Sequence, residues 1–383
     1  MSENDNAMDR RQKLTDPGRW VIKIGSALLT KDGLGLDRVA IETWAGQIAG
    51  LRQKGYDIVL VSSGSIAEGC VRLGWHERPA KIHDLQAAAS VGQMGLIHAY
   101  EQEFQNYDEQ TGQVLLTHDD LSSRERYLNA RSTLEALLKL DVIPVVNEND
   151  TVVTDEIRFG DNDTLAGLVA NLIDAEVLVI LTDQEGLFEE DPRINPDAKL
   201  IEDASAGEER LLEVASGSSG KLGRGGMLTK VRGARFAQRS GTDTIICSGK
   251  TEAVLAQLAA GEKIGSLLYA DQAPVAARKQ WLAGRLQVKG ALVLDSGAVN
   301  VLKDSGRSLL PVGVLSSNGR FDRGDLVSCV DESQTEIARG LVNFSSEETE
   351  KIIGKSSSEI PDILGYCDDE ELIHRNNLAL IDS

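Results

Sequence analysis

The sequence predicts an α/β protein, a three-layer αβα sandwich around a mainly parallel sheet, followed by a small β-rich domain. Short apolar runs alternate with longer amphipathic stretches up to about residue 275. The runs are rich in Val, Ile and Leu without polar alternation, as strands covered on both faces require. Beyond that point the chain breaks into short segments, punctuated by Gly, Ser, Asn and Asp every 6–12 residues, which reads as a mixed-β module.

WVIKIG at 20–25 is the first strand candidate. A helix follows at 37–53, where Val39, Ile41, Trp44, Ile48 and Leu51 keep mostly helical spacing. DIVLVSSG at 57–64 is the next strand, then QVLLT at 113–117, VIPVVNE at 142–148, EVLVILT at 176–182 and DTIIC at 243–247. Helices are expected between them at 83–106, 122–140, 163–173, 226–240 and 250–260. The interval 148–162 breaks the alternation, and TVVTDEIRFG within it reads as a small hairpin or an ordered loop. The boundary is expected near 276–283, giving domains at 19–276 and 283–378 behind a disordered polar tail at 1–18.

Length and charge narrow the class of function. A chain of 383 residues suits two or three domains. Asp and Glu total 60 against 40 Lys and Arg, a net charge of -20, which disfavours nonspecific nucleic-acid binding. The cysteines Cys70, Cys247, Cys329 and Cys367 lie far apart with no C-x-x-C pair, as isolated thiols of a reducing compartment do. The polar N-terminus lacks the apolar stretch of a secretory signal. Apolar runs such as VLVIL at 177–181 are too short to span a bilayer, so a cytoplasmic protein is expected.

Ligands of parallel sheets bind outside the carboxyl ends of the strands, which turns the strand assignments into a site. Lys23, Gly25 and Ser26 end the first strand, Ser62 to Ser65 the second, Asn147 to Asp150 the fourth, and Thr182-Asp183 the fifth. Lys23 is flanked by Val21, Ile22 and Ile24, where a solvated role is hard to arrange, and Gly25 permits close approach of backbone to an anion. Ser63-Gly64-Ser65 reads either as a helix N-cap or as a substrate seat on the same amides. Asp161-Asn162-Asp163 begins like a calcium loop, but Ala166 stands where the EF-hand needs glycine. It reads instead as a cap, or as carboxylates that orient lysines, a substrate ammonium or a metal–nucleotide, with Asn147 and Asp150 nearby. SGSSGKLGRGGMLTK at 216–230 fails the P-loop pattern, since Leu222 follows Gly220-Lys221 and Ala215 stands five positions before. Gly225-Gly226 opens a helix whose Leu228, Val231 and Phe236 suit one face, so its first amides and Lys230 can meet an anion.

Together these segments resemble the amino acid kinase family. The carrying motifs are VIKIGSALLT at 21–30, VSSGSIAEG at 61–69, LLTHDDLSSRERYLNARSTLEALL at 115–138, PVVNENDTV at 144–152, FGDNDTLAGLVA at 159–170, LTDQEGLFEEDPR at 181–193 and GRGGMLTKV at 223–231. KGALVLDSGA, SLLPVGV, GRFDRGDLV and EIARGLVNFSS resemble a PUA domain. The match narrows to members that phosphorylate the L-glutamate γ-carboxylate with ATP, opening proline synthesis. The resemblance gives Lys23 and Lys230 the charge on the transferred phosphoryl group, with Asp163 and Asp161 orienting them. Ser63, Asp150 and Asn162 match glutamate-binding positions, with Asp150 on the ammonium and Asn147 helping. Gly25, Thr182, Asp183 and the loop Arg224, Gly225, Gly226, Met227, Leu228, Thr229 and Lys230 match the nucleotide site. Arg224 departs from the threonine usual there. The resemblance also implies Mg²⁺ held through ATP, feedback inhibition by proline and a homo-oligomer. Two rival readings are another amino acid kinase, such as one acting on N-acetylglutamate, and an RNA-binding PUA protein with a degenerate kinase domain. KIGS rather than a K-x-G-G start speaks against the first, and the acidic balance against the second.

Overall fold

The computed structural model describes residues 10–31, 34–153, 162–217, 226–271, 288–305, 307–366 and 369–381. The chain divides into two compact units, Met1–Asp119 with Arg131–Pro274, and Asp120–Ala130 with Val275–Ser383.

The first unit carries β1 (Arg19–Ile24), β2 (Thr30–Lys31), β3 (Leu34–Leu36), β4 (Asp57–Ser62), β5 (Gln110–Leu116), β6 (Val142–Glu148), β7 (Val177–Thr182), β8 (Asp203–Ser205), β9 (Asp243–Ser248) and β10 (Ser266–Tyr269). Strands β2 and β3 form a small antiparallel hairpin. The other eight make one sheet in the order β5-β6-β4-β1-β7-β9-β10-β8, parallel throughout except between β9 and β10.

Strand alternation separates the two faces of β1. Trp20, Ile22 and Ile24 pack in one core with Trp44 and Ile48 of α1 (Arg38–Arg52), with Tyr100 of a longer helix and with Leu255. Helix α1 starts where the Asp37 carboxylate accepts from the Val39 and Ala40 amides, and buries Ile41, Trp44, Ala45, Ile48 and Leu51. Lys23 points to the opposite face. The remaining helices, in chain order, are α2 (Ser65–Arg72), α3 (Ile82–Gln105), α4 (His118–Ser122), α5 (Arg124–Lys139), α6 (Asn162–Leu172), α7 (Glu209–Gly217), α8 (Met227–Ala237) and α9 (Val254–Leu258), of which α4 and α5 each divide between the two units.

The second unit has a five-stranded sheet of β11 (Gly290–Leu294), β12 (Val314–Gly319), β13 (Leu326–Val330), β14 (Glu336–Leu341) and β15 (Leu378–Leu380), in the order β12-β11-β13-β14-β15. Its core of Leu292, Leu302, Val327, Phe344 and Leu372 is separate from that of the first unit.

Several expectations change. The helix expected at 122–140 forms as α5, and a further short helix, α4, precedes it. The helix at 250–260 shrinks to α9. The edge strand β8 and its neighbour β10 have three and four residues, too short to stand out from their surroundings. Residues 10–18 are not a loose tail. Arg11 is 4% exposed and bonds Asp203 and the carbonyls of Glu202 and Ile264, and the Tyr56 hydroxyl donates to the Leu14 carbonyl. Residues 1–9, the expected boundary at 276–283 and residues 154–160 of the TVVTDEIRFG stretch lie outside the described residues. Cys70, Cys247 and Cys329 are free and buried; Cys367 lies outside the described residues. Among the described residues no helix is long and apolar enough to cross a membrane.

Candidate active site

The carboxyl ends of β1, β4, β6 and β7 gather the polar side chains that the sequence singled out. At the centre is Asp163, 1% exposed, in the first turn of α6. Lys23 Nζ lies 2.5 Å from its Oδ1, and Lys230 Nζ donates to its Oδ2 at 2.9 Å. The Thr229 hydroxyl lies 2.7 Å from the same Oδ2. Burial alone would raise this carboxyl, but the two ammonium groups and their hydrogen bonds outweigh it and hold it well below the ordinary carboxylate range. Two cations share one anion, so the trio keeps a net positive charge, directed by a fixed carboxylate.

Lys230 reaches Asp163 because α8 buries Met227, Lys230, Val231, Gly233, Ala234 and Ala237. Its buried stripe is therefore not the expected Leu228–Val231–Phe236 face, since Leu228 and Phe236 are half-buried. Two glycines allow the close approach of α8 to α6. A Cβ on Gly167 would come within 2.1 Å of the Gly233 carbonyl oxygen, and one on Gly233 within 2.4 Å of the Asp163 carbonyl oxygen. Neither glycine stands out in sequence, because the requirement belongs to the neighbouring helix.

A second constellation lies beside the first. The Asn162 Nδ2 group donates to the Ser62 carbonyl at 2.8 Å, to Ser63 Oγ at 2.9 Å and to Asn147 Oδ1 at 2.9 Å. Asn147 Nδ2 donates to Gln93 Oε1 at 2.8 Å. Ser65 Oγ donates to Asp150 Oδ2 at 3.2 Å. Burial, with repulsion from Glu148, pushes the Asp150 carboxyl up to about 7, against the Ser65 hydrogen bond and Arg78. The serines flanking Gly64 do not cap α2. Its N-cap is Gly64 itself, at φ 109, a left-handed conformation that favours glycine, and no side chain caps the helix. Gln93 and the packing glycines are the members that sequence reasoning missed. The available signal was a glutamine within the small-residue stripe AAASVGQMG of α3.

Among the residues expected to meet the nucleotide, the Gly25 amide donates to the Leu181 carbonyl at 3.2 Å. A Cβ there would sit 3.3 Å from the same oxygen and 3.8 Å from Lys23 Nζ. Thr182 Oγ1 donates to the exposed Asp183 at 3.1 Å. Gly226 is the N-cap of α8, and a Cβ there would meet nothing within 4 Å. Asp161, Arg224 and Gly225 lie outside the described residues.

A buried carboxylate clamped between two lysines, beside a polar amide cluster at the open edge of a parallel sheet, defines a phosphate-handling enzyme site of the α/β class. The amino acid kinase family profile matches residues 18–248, and the PUA domain profile residues 290–364. The chain belongs to the amino acid kinase family. Relatives named glutamate 5-kinase from Nitrosococcus oceani and Teredinibacter turnerae are each 60% identical to it, over 97% of this chain and 100% of theirs. One of the same name from Pseudomonas aeruginosa is 59% identical, again over 97% of this chain and 100% of its own.

Proposed function

We propose that the protein transfers the terminal phosphoryl group of ATP to the γ-carboxylate of L-glutamate, giving glutamyl 5-phosphate and ADP, the first step of proline synthesis. The observation that carries this is the Lys23–Asp163–Lys230 trio beside the Asn162–Asn147 amide cluster. The full-length relatives supply the substrate.

The attacking carboxylate is ionised at neutral pH, so no general base is required. Catalysis then rests on positioning and on charge facing the transferred group. Lys23 and Lys230 face that charge, and Asp163 fixes both ammonium groups. Asp150, Asn147, Asn162 and Ser63 seat the amino acid, with Asp150 opposite its ammonium. Gly25, Thr182, Asp183, Gly226 and the first turn of α8 seat the nucleotide.

Mg²⁺ fits as a companion of ATP. Among the described residues no three His, Cys, Asp or Glu side chains form a metal cluster, and the central Asp163 is taken by two lysines. Such a site suits a metal held by phosphate oxygens and water, where it neutralises phosphate charge. The same reading extends to a cytoplasmic homo-oligomer inhibited by proline, which carries a charged nitrogen and a carboxylate as glutamate does and would compete at Asp150.

A coupled ADP-release assay with glutamate, aspartate, N-acetylglutamate and UMP tests the assignment. Turnover with glutamate alone is expected. Turnover with aspartate or UMP but not glutamate overturns it.

A further inference from the structure

Helix α3 buries a stripe of Leu85, Ala88, Ala89, Gly92, Leu96, Ala99 and Tyr100, and Gln93 lies within it at 8% exposure. An amide in such a stripe is unfavourable unless its hydrogen bonds are satisfied. Its position is set by a close helix crossing. A Cβ on Gly92 would fall 1.8 Å from the Ser65 carbonyl oxygen, and one on Gly69 of α2 1.7 Å from that of Ala88. This crossing brings α3 against the start of α2 and Gln93 Oε1 to Asn147.

The hydrogen bonds of the amide cluster run in one direction. The Ser62 carbonyl can only accept, so Asn162 must present its NH₂ group there. That same group donates to Asn147 Oδ1, so Asn147 turns its own NH₂ group away, onto Gln93 Oε1 at 2.8 Å and, at the longer distance of 3.4 Å, onto Ser65 Oγ. Gln93 is the terminal acceptor of the chain, and its Nε2 has no hydrogen-bond partner among the described residues. At the other end Asn162 Oδ1 is likewise buried without a partner among the described residues. The protein thus leaves one acceptor unsatisfied on a residue next to Asp163, an arrangement suited to a ligand N–H group.

We propose that Gln93 is a positioning residue for amino acid recognition: its Oε1 holds Asn147, and through it Asn162, in the one amide orientation that leaves Asn162 Oδ1 open to the substrate. This rests on the proposed reading of the site as an amino acid site. The atom that matters is the acceptor oxygen, since Nε2 has no protein partner to lose.

Two variants and two readouts test it. Gln93→Met keeps length and apolar fit but removes the acceptor; Gln93→Glu keeps an acceptor. In steady-state kinetics Gln93→Met should raise the KM for glutamate about tenfold, the factor for roughly 1.4 kcal/mol of lost binding, with kcat and the KM for ATP within about threefold. Gln93→Glu should stay within about threefold of the parent in all three. A parent-like glutamate KM in Gln93→Met overturns the proposal. So does a Gln93→Glu variant as impaired as Gln93→Met, or an equal loss in every parameter with a lowered Tm, which would mark a packing role. The second readout needs no substrate. In protein labelled with ¹⁵N-asparagine, the side-chain NH₂ groups of Asn147 and Asn162 should exchange slowly with solvent, and faster in Gln93→Met. Unchanged exchange also overturns the proposal. A parent enzyme that shows this protection but no glutamate turnover would remove the functional reading while leaving the relay in place.

Discussion

Asp163 and Asp150 are both buried carboxylates, yet their surroundings drive them apart. Two lysines keep Asp163 ionised at any working pH, whereas Asp150 has, among the described residues, only a serine hydroxyl in hydrogen-bond contact and rises to about 7. A carboxyl whose folded pKa is raised contributes stability that is present below its ordinary value of 3.8 and lost as pH rises through about 7. Asp150→Asn should therefore raise Tm at about pH 8, by an increment worth about 1–4 kcal/mol, and change it little at about pH 4. Function runs the other way. On the proposed pairing of Asp150 with the substrate ammonium, the competent ionised form grows as pH rises, so the parent KM for glutamate should fall between about pH 6 and pH 8. The variant should bind glutamate poorly throughout. Thermal scans at the two pH values, with KM against pH, check both, and a parent-like Tm at pH 8 would remove Asp150 as a strained group. For Lys230→Met the expected loss is in kcat, about 10²-fold or more. Asp163 keeps Lys23 and Thr229, so the fold should survive. Near-parental turnover would take Lys230 out of the chemistry. The identities of Lys23, Asp163 and Lys230 were legible in sequence because strand ends and helix starts of a parallel sheet converge. Their 2.5 and 2.9 Å contacts were not, because these depend on how close α6 comes to β1 and α8 to α6.

Closeness of helices is set by glycine, and the two glycines that matter most at the site play opposite parts. Gly233 faces the Asp163 backbone, and a methyl group there would sit 2.4 Å from its carbonyl oxygen. Gly233→Ala should force α8 away from α6, lower stability by about 1–3 kcal/mol and reduce kcat through a displaced Lys230. Gly226 has φ -72, open to any residue, and open space where its Cβ would be. Gly226→Ala should therefore leave Tm unchanged and raise the KM for ATP, because only a bound nucleotide would meet the added methyl. Tm and both KM values for the pair check this; a lowered Tm in Gly226→Ala would show a structural need for that glycine. Sequence singled out Gly226 because it opens a helix in a glycine-rich loop, and passed over Gly233 and Gly167 because nothing local marks them. The same logic hid Gln93. Its neighbours Ala88, Ala89 and Gly92 read as an ordinary buried stripe, and only the register against β6 shows that an asparagine lies opposite. The short strands β8 and β10 were missed for a related reason, since three or four residues carry too little pattern to separate strand from loop.

At the scale of the whole chain, the two units were legible as a change of pattern near residue 275, whereas the grouping of Asp120–Ala130 with the second unit was not, being a matter of distant contacts. Net charge was legible outright, and it sets a field that works against the site. A chain of net charge -20 repels both glutamate and ATP at long range, while the positive trio of Lys23, Asp163 and Lys230 attracts phosphate only close in. Salt separates the two ranges. The Debye length falls from about 30 Å at 0.01 M to about 8 Å at 0.15 M, so the field of the distant surface is screened first, and contacts within the buried site least. The expected outcome is a kcat/KM for ATP that rises as ionic strength increases from about 0.01 to 0.15 M at fixed free Mg²⁺. Enzymes whose whole surface is basic toward their phosphate substrates behave in the opposite way. Steady-state kinetics across that range, with a viscosity control for the encounter step, decide the matter. A kcat/KM that falls with salt would mean that local charge around the lysines reaches beyond the site and dominates the approach of the nucleotide.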